Sequence, residues 1–366
     1  MNGFHEQIIH GVVRDLHLSE PELYVDNRSR DRSGHMSHAL IQTRSGRVLD
    51  FNSNCSAYRF CGHAAFGWIE YRISEDLGET FGEIRRFPYA YEEFLKGNYT
   101  VSVEKGICCE DGTVVVFCLM NSQMKEISCE PWIEPRVVRS LDEGETWEPP
   151  TILCGEKGRV YDARYVDGKI YVLMACNDAA VHFCANKLEH LYRLYVSEDS
   201  GRTFREESVV GFADSMNLGY GALVLTPDQR LIAYAYNLKD EQHMSYAVSR
   251  DLGKTWCESG TCYLANRTRN PQINCLDGQY FLFGRCSSDH GCAVYTSADA
   301  LHWDEGHVLN KDNVSCYYSN SILLDHPRQP GKKRLLVQFS EVYPHHEPRA
   351  WNATVNVKHM WVESLS

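Results

Sequence analysis

An eight-residue pattern recurs along the chain and limits what it can fold into. It reads Ser74-Glu75-Asp76-Leu77-Gly78-Glu79-Thr80-Phe81, and returns at Ser140 to Trp147, Ser197 to Phe204 and Ser249 to Trp256. A fifth copy, Ser297-Ala298-Asp299-Ala300-Leu301-His302-Trp303, is one residue short. Asp bonds its own backbone in turns, Gly supplies a positive φ, and Ser and Thr hydroxyls close the loop, so the pattern predicts a hairpin turn. Alternating, strand-like residues precede the copies, as in Gly67 to Ile73 and Leu191 to Val196. Steps of roughly 50 to 65 residues between such turns point to a radial array of small sheets.

A second series interleaves with the first. Apolar runs flank turns at Ser45-Gly46, Asp111-Gly112, Asp167-Gly168, Pro227-Asp228, Asp277-Gly278 and Pro330-Gly331. Asp-Gly between strand-like runs is a strong hairpin signal. Six of these hairpins and five octapeptides give two hairpins per unit, the four strands of a propeller blade. The last blade lacks its octapeptide. The segment Ala353 to Trp361 supplies one of its strands, and Gln7 to Val13 is expected to supply the closing one. The expectation is an all-β, six-bladed propeller of four-stranded antiparallel blades, with helix nearly absent. Residues 1–366 form a single domain in this reading, the last blade closed by the N-terminal strand, because no Pro-, Gly- or Ser-rich linker divides the chain.

Charge and composition exclude other classes. The net charge is −12, which argues against gripping nucleic acid or an anionic membrane. The longest apolar runs, such as Thr113 to Met120, fall well short of a spanning helix. The N-terminus shows no basic region followed by an apolar stretch, so no secretory signal is expected. The 15 cysteines are odd in number, sit largely within apolar strands and form no Cys-x-x-Cys. They read as free thiols in a reducing cytoplasm. Neither a glycine-rich phosphate loop nor His-Glu-x-x-His is present, so no metal and no cofactor are expected.

The four intact octapeptides resemble the Asp-boxes (BNR repeats) of the sialidase, or neuraminidase, superfamily. The resemblance covers nearly the whole chain and implies a binding site on the propeller axis. In that family three arginines hold the substrate carboxylate, a Tyr activated by Glu is the nucleophile, and an Asp is the acid. Cys316-Tyr317-Tyr318-Ser319 is similar to the family's Tyr segment and places Tyr318 at the nucleophile position. Arg159, Arg269 and Arg285 lie at inner-strand ends, where arginine forks suit a carboxylate.

Other positions depart from the family. Met36, in His35-Met36-Ser37-His38, replaces the first arginine, and no Asp or Glu occurs from Phe51 to Ile69. The family's Glu falls near Tyr220 and another of its arginines near Tyr236. A neutral Tyr cannot replace a carboxylate as base at its ordinary pKa. Residues able to rebuild a site are His38, Glu104, Asp162 and Glu341, with Tyr220 among the binding residues. A pair of carboxyl groups would serve as acid and base, or as acid and nucleophile. Asp50 alternates inward on its strand, and the charged stretch Asp26 to Arg32 is expected to be a solvated loop.

Three functions follow. The first is a sialidase-like glycoside hydrolase with a remodelled site, taking a terminal sugar from a glycan. The second is a polysaccharide lyase using Tyr or His with Arg. The third is a non-catalytic glycan-binding propeller. All three take a glycan or small sugar as partner, without nucleic acid or membrane.

Overall fold

The computed structural model describes residues 5–34, 39–56, 66–122, 133–176, 191–286, 291–309, 316–342 and 355–365. Its strands form six antiparallel sheets arranged as a propeller. Blades two to five are each one contiguous stretch of four strands. Blade three is typical: inner strand Gly158–Val166, then Lys169–Cys176, Leu191–Ser197 and Arg205–Val209. The six predicted first hairpins join the inner strand to the second in every blade. The octapeptides join the third to the fourth, at the periphery.

The octapeptide turns repeat one hydrogen-bond set. Ser74 Oγ donates to Asp76 Oδ1 at 2.7 Å and accepts from the Gly78 N–H at 2.8 Å. The Thr80 N–H donates to Asp76 Oδ1 at 2.8 Å, and Thr80 Oγ1 to Oδ2 at 2.6 Å. Asp142, Asp199 and Asp251 repeat it. In the short fifth copy His302 takes the Thr place, its Nδ1 2.7 Å from Asp299 Oδ2. The turn has a second task that the sequence did not show: it packs on the preceding blade. A side chain at Gly144 would overlap Leu49 of blade one. The Tyr71 hydroxyl donates to the Gly144 carbonyl at 2.9 Å, and the Trp147 ring stands edge-on to Tyr71 and Phe87. The aromatic that ends the octapeptide therefore seals a joint between blades.

Six apolar clusters fill the six joints. The one between blades six and one is small, with Leu40, Val48, Leu324 and Leu336 at its centre. A buried polar group adjoins it: His359 Nε2 lies 2.6 Å from Asp50 Oδ2, Gln338 donates to Asp50 Oδ1, and the Tyr24 ring stacks on His359 at 3.9 Å. Burial pushes the Asp50 carboxyl up, partly offset by His359.

Two expectations change. The strand paired with the third strand of blade six, Val355–Ser364, is Leu16–Leu18, with Gln7–Ile9 one place further out. Val12 and Val13 turn instead onto blade five, where Thr296 and Gln279 side chains accept their N–H groups. The charged stretch is not wholly a loop: Arg32–Ser33 pairs with Cys55 and Ser56 on the inner side of blade one, and Arg30 holds Glu70 with two bonds of 2.8 Å. Helix is nearly absent among the described residues, as expected: one, Pro88–Lys96, packs Phe87, Tyr89 and Ala90 into the joint of blades one and two. Pro at its start and Gly97 at its end were the legible signals. Among the described residues no helix is long and apolar enough to cross a membrane.

Candidate functional site

Inner strands carry alternating side chains, and a regular strand would turn every second one away from the axis. Five inner strands break this rule at the same level. Each has one extra residue against its partner strand. In blade two Glu104 is the extra residue between Val103↔Cys118 and Lys105↔Phe117. In blade three it is Tyr161, between Val160↔Met174 and Asp162↔Leu173. In blades four, five and six the irregular pairs are Gly219-Tyr220, Asn270-Pro271 and Tyr317-Tyr318. Such bulges re-aim a side chain. Glu104, Tyr161, Tyr220, Asn270 and Tyr318 all line one axial pocket.

Its floor is a chain of polar contacts. The Tyr318 and Tyr220 hydroxyls are 2.6 Å apart. Arg159 Nη1 donates to the Tyr220 hydroxyl, and Nη2 to Glu104 Oε2 at 2.7 Å. Arg159 is 1% exposed and its guanidinium also lies 4.3 Å from the centre of the Tyr220 ring. Burial favours loss of its proton, but Glu104 together with Tyr220, Tyr318 and Tyr161 outweighs this, and Arg159 stays charged. Burial raises the pKa of Tyr220 and Tyr318, with Arg159 pulling the other way. Both phenols are therefore neutral near pH 7. The free volume at this floor is about 30 Å³, room for a water or a small projecting group of a ligand.

The remaining arginines stand on one side of this floor. Arg269 and Arg285 are cross-strand partners in blade five. Both lower the pKa of Tyr236, which burial raises further, and Tyr236 stacks parallel to Tyr220 with centres 6.2 Å apart. Arg269 is ion-paired to Glu241, whose side chain is almost wholly buried. Sequence reasoning missed Glu241 and Tyr161 as parts of this site. Glu241 sits in a charged loop, Lys239-Asp240-Glu241, with no pattern to set it apart.

Not every predicted residue joins the floor. Asp162 lies just beneath it, fully buried, 3.1 Å from both Lys105 Nζ and Arg164 Nη2 and accepting the Leu223 N–H at 2.8 Å. Lys105 and Arg164 hold it below the usual carboxylate range against burial. Its oxygens are occupied, so it ties blades together and is not presented to the pocket. Glu341 lies across from Cys316, beside the blade-six bulge, but its carboxylate is taken by Lys358 on the third strand of its own blade, at 2.5 Å. His38 and Met36 lie outside the described residues.

No protein-family model matches the chain, and no curated protein matches it in sequence. Solved structures do match in fold. A Dyadobacter fermentans protein of unknown function superposes with a TM-score of 0.71 at 16% identity, covering 96% of this chain and 99% of that one. The Hadza microbial sialidase gives 0.67 at 14% identity, over 95% of this chain and 69% of that one. The intramolecular trans-sialidase of Ruminococcus gnavus, solved with oseltamivir carboxylate, gives 0.58 at 11% identity, over 93% of this chain and 96% of that one. With the six blades described above, these likenesses show that the chain has the sialidase-like six-bladed propeller fold.

Proposed function

We propose that the chain is a sialidase-like glycoside hydrolase with a remodelled axial site, cleaving a terminal sugar from a glycan. The observation that carries this reading is the run of contacts Tyr318–Tyr220–Arg159–Glu104 on the pocket floor. In this reading the Tyr318 oxygen attacks the anomeric carbon as the glycosidic bond breaks, and the Tyr318 proton passes by way of Tyr220 and solvent water to the departing oxygen, which leaves as an alcohol. Glu104, on the same guanidinium, holds Arg159 in place beside the two phenols. Arg159 lowers the cost of negative charge on either phenol. Arg269 and Arg285 face the anionic group of the sugar. Water then releases the sugar from the phenol. The free thiols among the described residues, eleven of them, support a cytoplasmic setting.

A lyase reading has its own support. Among the described lining residues Glu104 is the one carboxylate, and it is bound to Arg159. The carboxylate pair of most glycosidases is thus missing there, while two phenols at 2.6 Å suit proton removal from, and return to, a uronate. The deciding experiment incubates the full chain with sialylated and uronate-bearing glycans and follows both reducing-sugar release and near-ultraviolet absorbance. Reducing sugar without absorbance, lost in Tyr318→Phe, is the expected result. An unsaturated, absorbing product overturns hydrolysis in favour of elimination. Binding with neither product leaves a glycan-binding propeller.

A further inference from the structure

The inner strands continue past the bulges, and a second cavity opens at their far ends, on the opposite face of the ring. Its volume is about 220 Å³. A polar layer separates it from the candidate site. Lys105 Nζ donates to Asn320 Oδ1 at 3.0 Å and to Gln272 Oε1 at 3.2 Å, and lies 3.1 Å from Asp162 Oδ1. Lys105, Asp162 and Asn320 are all buried, so the axis is plugged and not a through-channel. At about 3.3 Å per residue, the step from Arg159 to Arg164 sets the two cavities on the order of 15 Å apart.

The second cavity is lined by groups held in place yet short of partners. Arg164 Nε donates to the Leu223 carbonyl at 2.9 Å, and Nη2 to the Ile273 carbonyl at 3.2 Å. Nη2 also pairs with Asp162 at 3.1 Å. The guanidinium is thereby pinned across blades three, four and five. Its Nη1 has no partner among the described residues. The same holds for the Gln42 amide, the Tyr165 hydroxyl and the Asn274 carbonyl oxygen, whose own Nδ2 donates to Ser321 Oγ at 2.6 Å. The residues that carry these groups, from blades one, three and five, all line this one cavity.

The cationic group that reaches the cavity is the Arg164 guanidinium, while Lys105 is bonded within the polar layer behind it, where burial weakens its hold on its proton. The chain as a whole carries −12, so its bulk field repels anions and any anion that binds must be held locally. A guanidinium edge prefers a carboxylate. Amide, phenol and carbonyl groups around it suit hydroxyls. A volume below the usual range for drug-sized ligands excludes an oligosaccharide.

The geometry points to a second binding site, for a small monocarboxylate that carries several hydroxyl groups, on the face opposite the candidate active site. It stands apart from the proposed hydrolysis and survives if that reading fails. The probe is gluconate, titrated calorimetrically into the full chain, with glucose and with chloride at equal ionic strength as controls. One gluconate per chain is expected, with no binding of glucose. Arg164→Gln should weaken it about ten- to hundredfold, the worth of a hydrogen bond to a charged group. Gln42→Leu and Tyr165→Phe, which break no contact within the protein, should each weaken it several-fold. They decide the matter if Arg164→Gln does not fold. Tyr318→Phe should leave it unchanged. The proposal is overturned if gluconate does no better than chloride, if Gln42→Leu and Tyr165→Phe both bind as the parent does, or if Tyr318→Phe abolishes binding and so moves the ligand to the other cavity.

Discussion

Tyr220 and Tyr318 bring their hydroxyl oxygens to 2.6 Å from bulges on two different blades, four and six. Two neutral phenols share a hydrogen bond there, where the sequence resemblance to sialidases implies a carboxylate at the Tyr220 position. Replacing Tyr220 by Glu would restore that charge beside Arg159, which is already positioned to pair with it. Under the hydrolase reading Tyr220→Glu should keep or raise turnover, while Tyr318→Phe should lower it by at least about a hundredfold with binding little changed. Steady-state rates and equilibrium binding of the same glycan check both. Equal loss in the two variants would show that Tyr220 is needed as a phenol.

The Arg159–Glu104 pair should behave as a unit. Arg159→Met leaves a carboxylate in a low-dielectric pocket, and Glu104→Gln leaves a cation there. Each should cost about 3–5 kcal/mol of stability. The double variant should cost clearly less than the sum, because both charges leave together. Denaturant unfolding of the three variants measures the coupling. Additive losses would mean the pair is not desolvated.

Asp142→Ala removes the acceptor of three hydrogen bonds in its turn. The turn is exposed, so the expected loss is roughly 1–2 kcal/mol. Gly253→Ala should cost at least as much, for a different reason. Its φ is +88°, and the new methyl would meet Leu194 of the preceding blade. Neither should change turnover by the folded protein. Thermal unfolding and specific activity, measured together, separate the two effects.

Acid should also act on these turns. Hydrogen bonds from Thr255 hold Asp251 down at about 2, and Asp76, Asp142 and Asp199 shift the same way. A carboxyl whose folded pKa is depressed contributes stability above its unfolded value of about 3.9 and loses it as pH falls through the folded value. Unfolding free energy should therefore drop between about pH 4 and about pH 2. Asp251→Asn should make that drop shallower, with pH-dependent denaturation as the measurement.

The sequence carried the ring more fully than the site. Octapeptides and Asp-Gly hairpins are local signals, because a turn is written in four to eight adjacent residues. Tyr318 was legible because its neighbours form a segment similar to a known one, and Arg159 because it stands at a strand start. The bulges that aim Glu104, Tyr161 and Tyr220 were not legible. A bulge is a mismatch of register between two strands, and neither strand alone records it. Asp162 was misjudged for a related reason. Its position near the axis was right, but its partners Lys105 and Arg164 come from register and blade order, which no spacing reveals. The closing strand was displaced from Gln7 to Leu16 because both segments are apolar and alternate. What separates them is the Gln279 side chain 265 residues away, bonded to Arg14 between them.

The joint between blades six and one bears on how the molecule is made. Ser19 and Trp361 exchange bonds of 3.0 Å across 342 residues, while blades two to five draw on unbroken stretches of chain. A ribosome working at roughly 5–20 residues per second keeps residues 16–25 waiting about 20–70 s for their partner. Blade one spends that interval as the raw end of an incomplete arc, offering a free sheet face to every other nascent chain nearby. The face it offers holds Asp50 and Arg72 beside its few apolar groups. An end studded with charge discourages sticking to strangers. The polar joint, at some expense to the finished ring, protects the unfinished one.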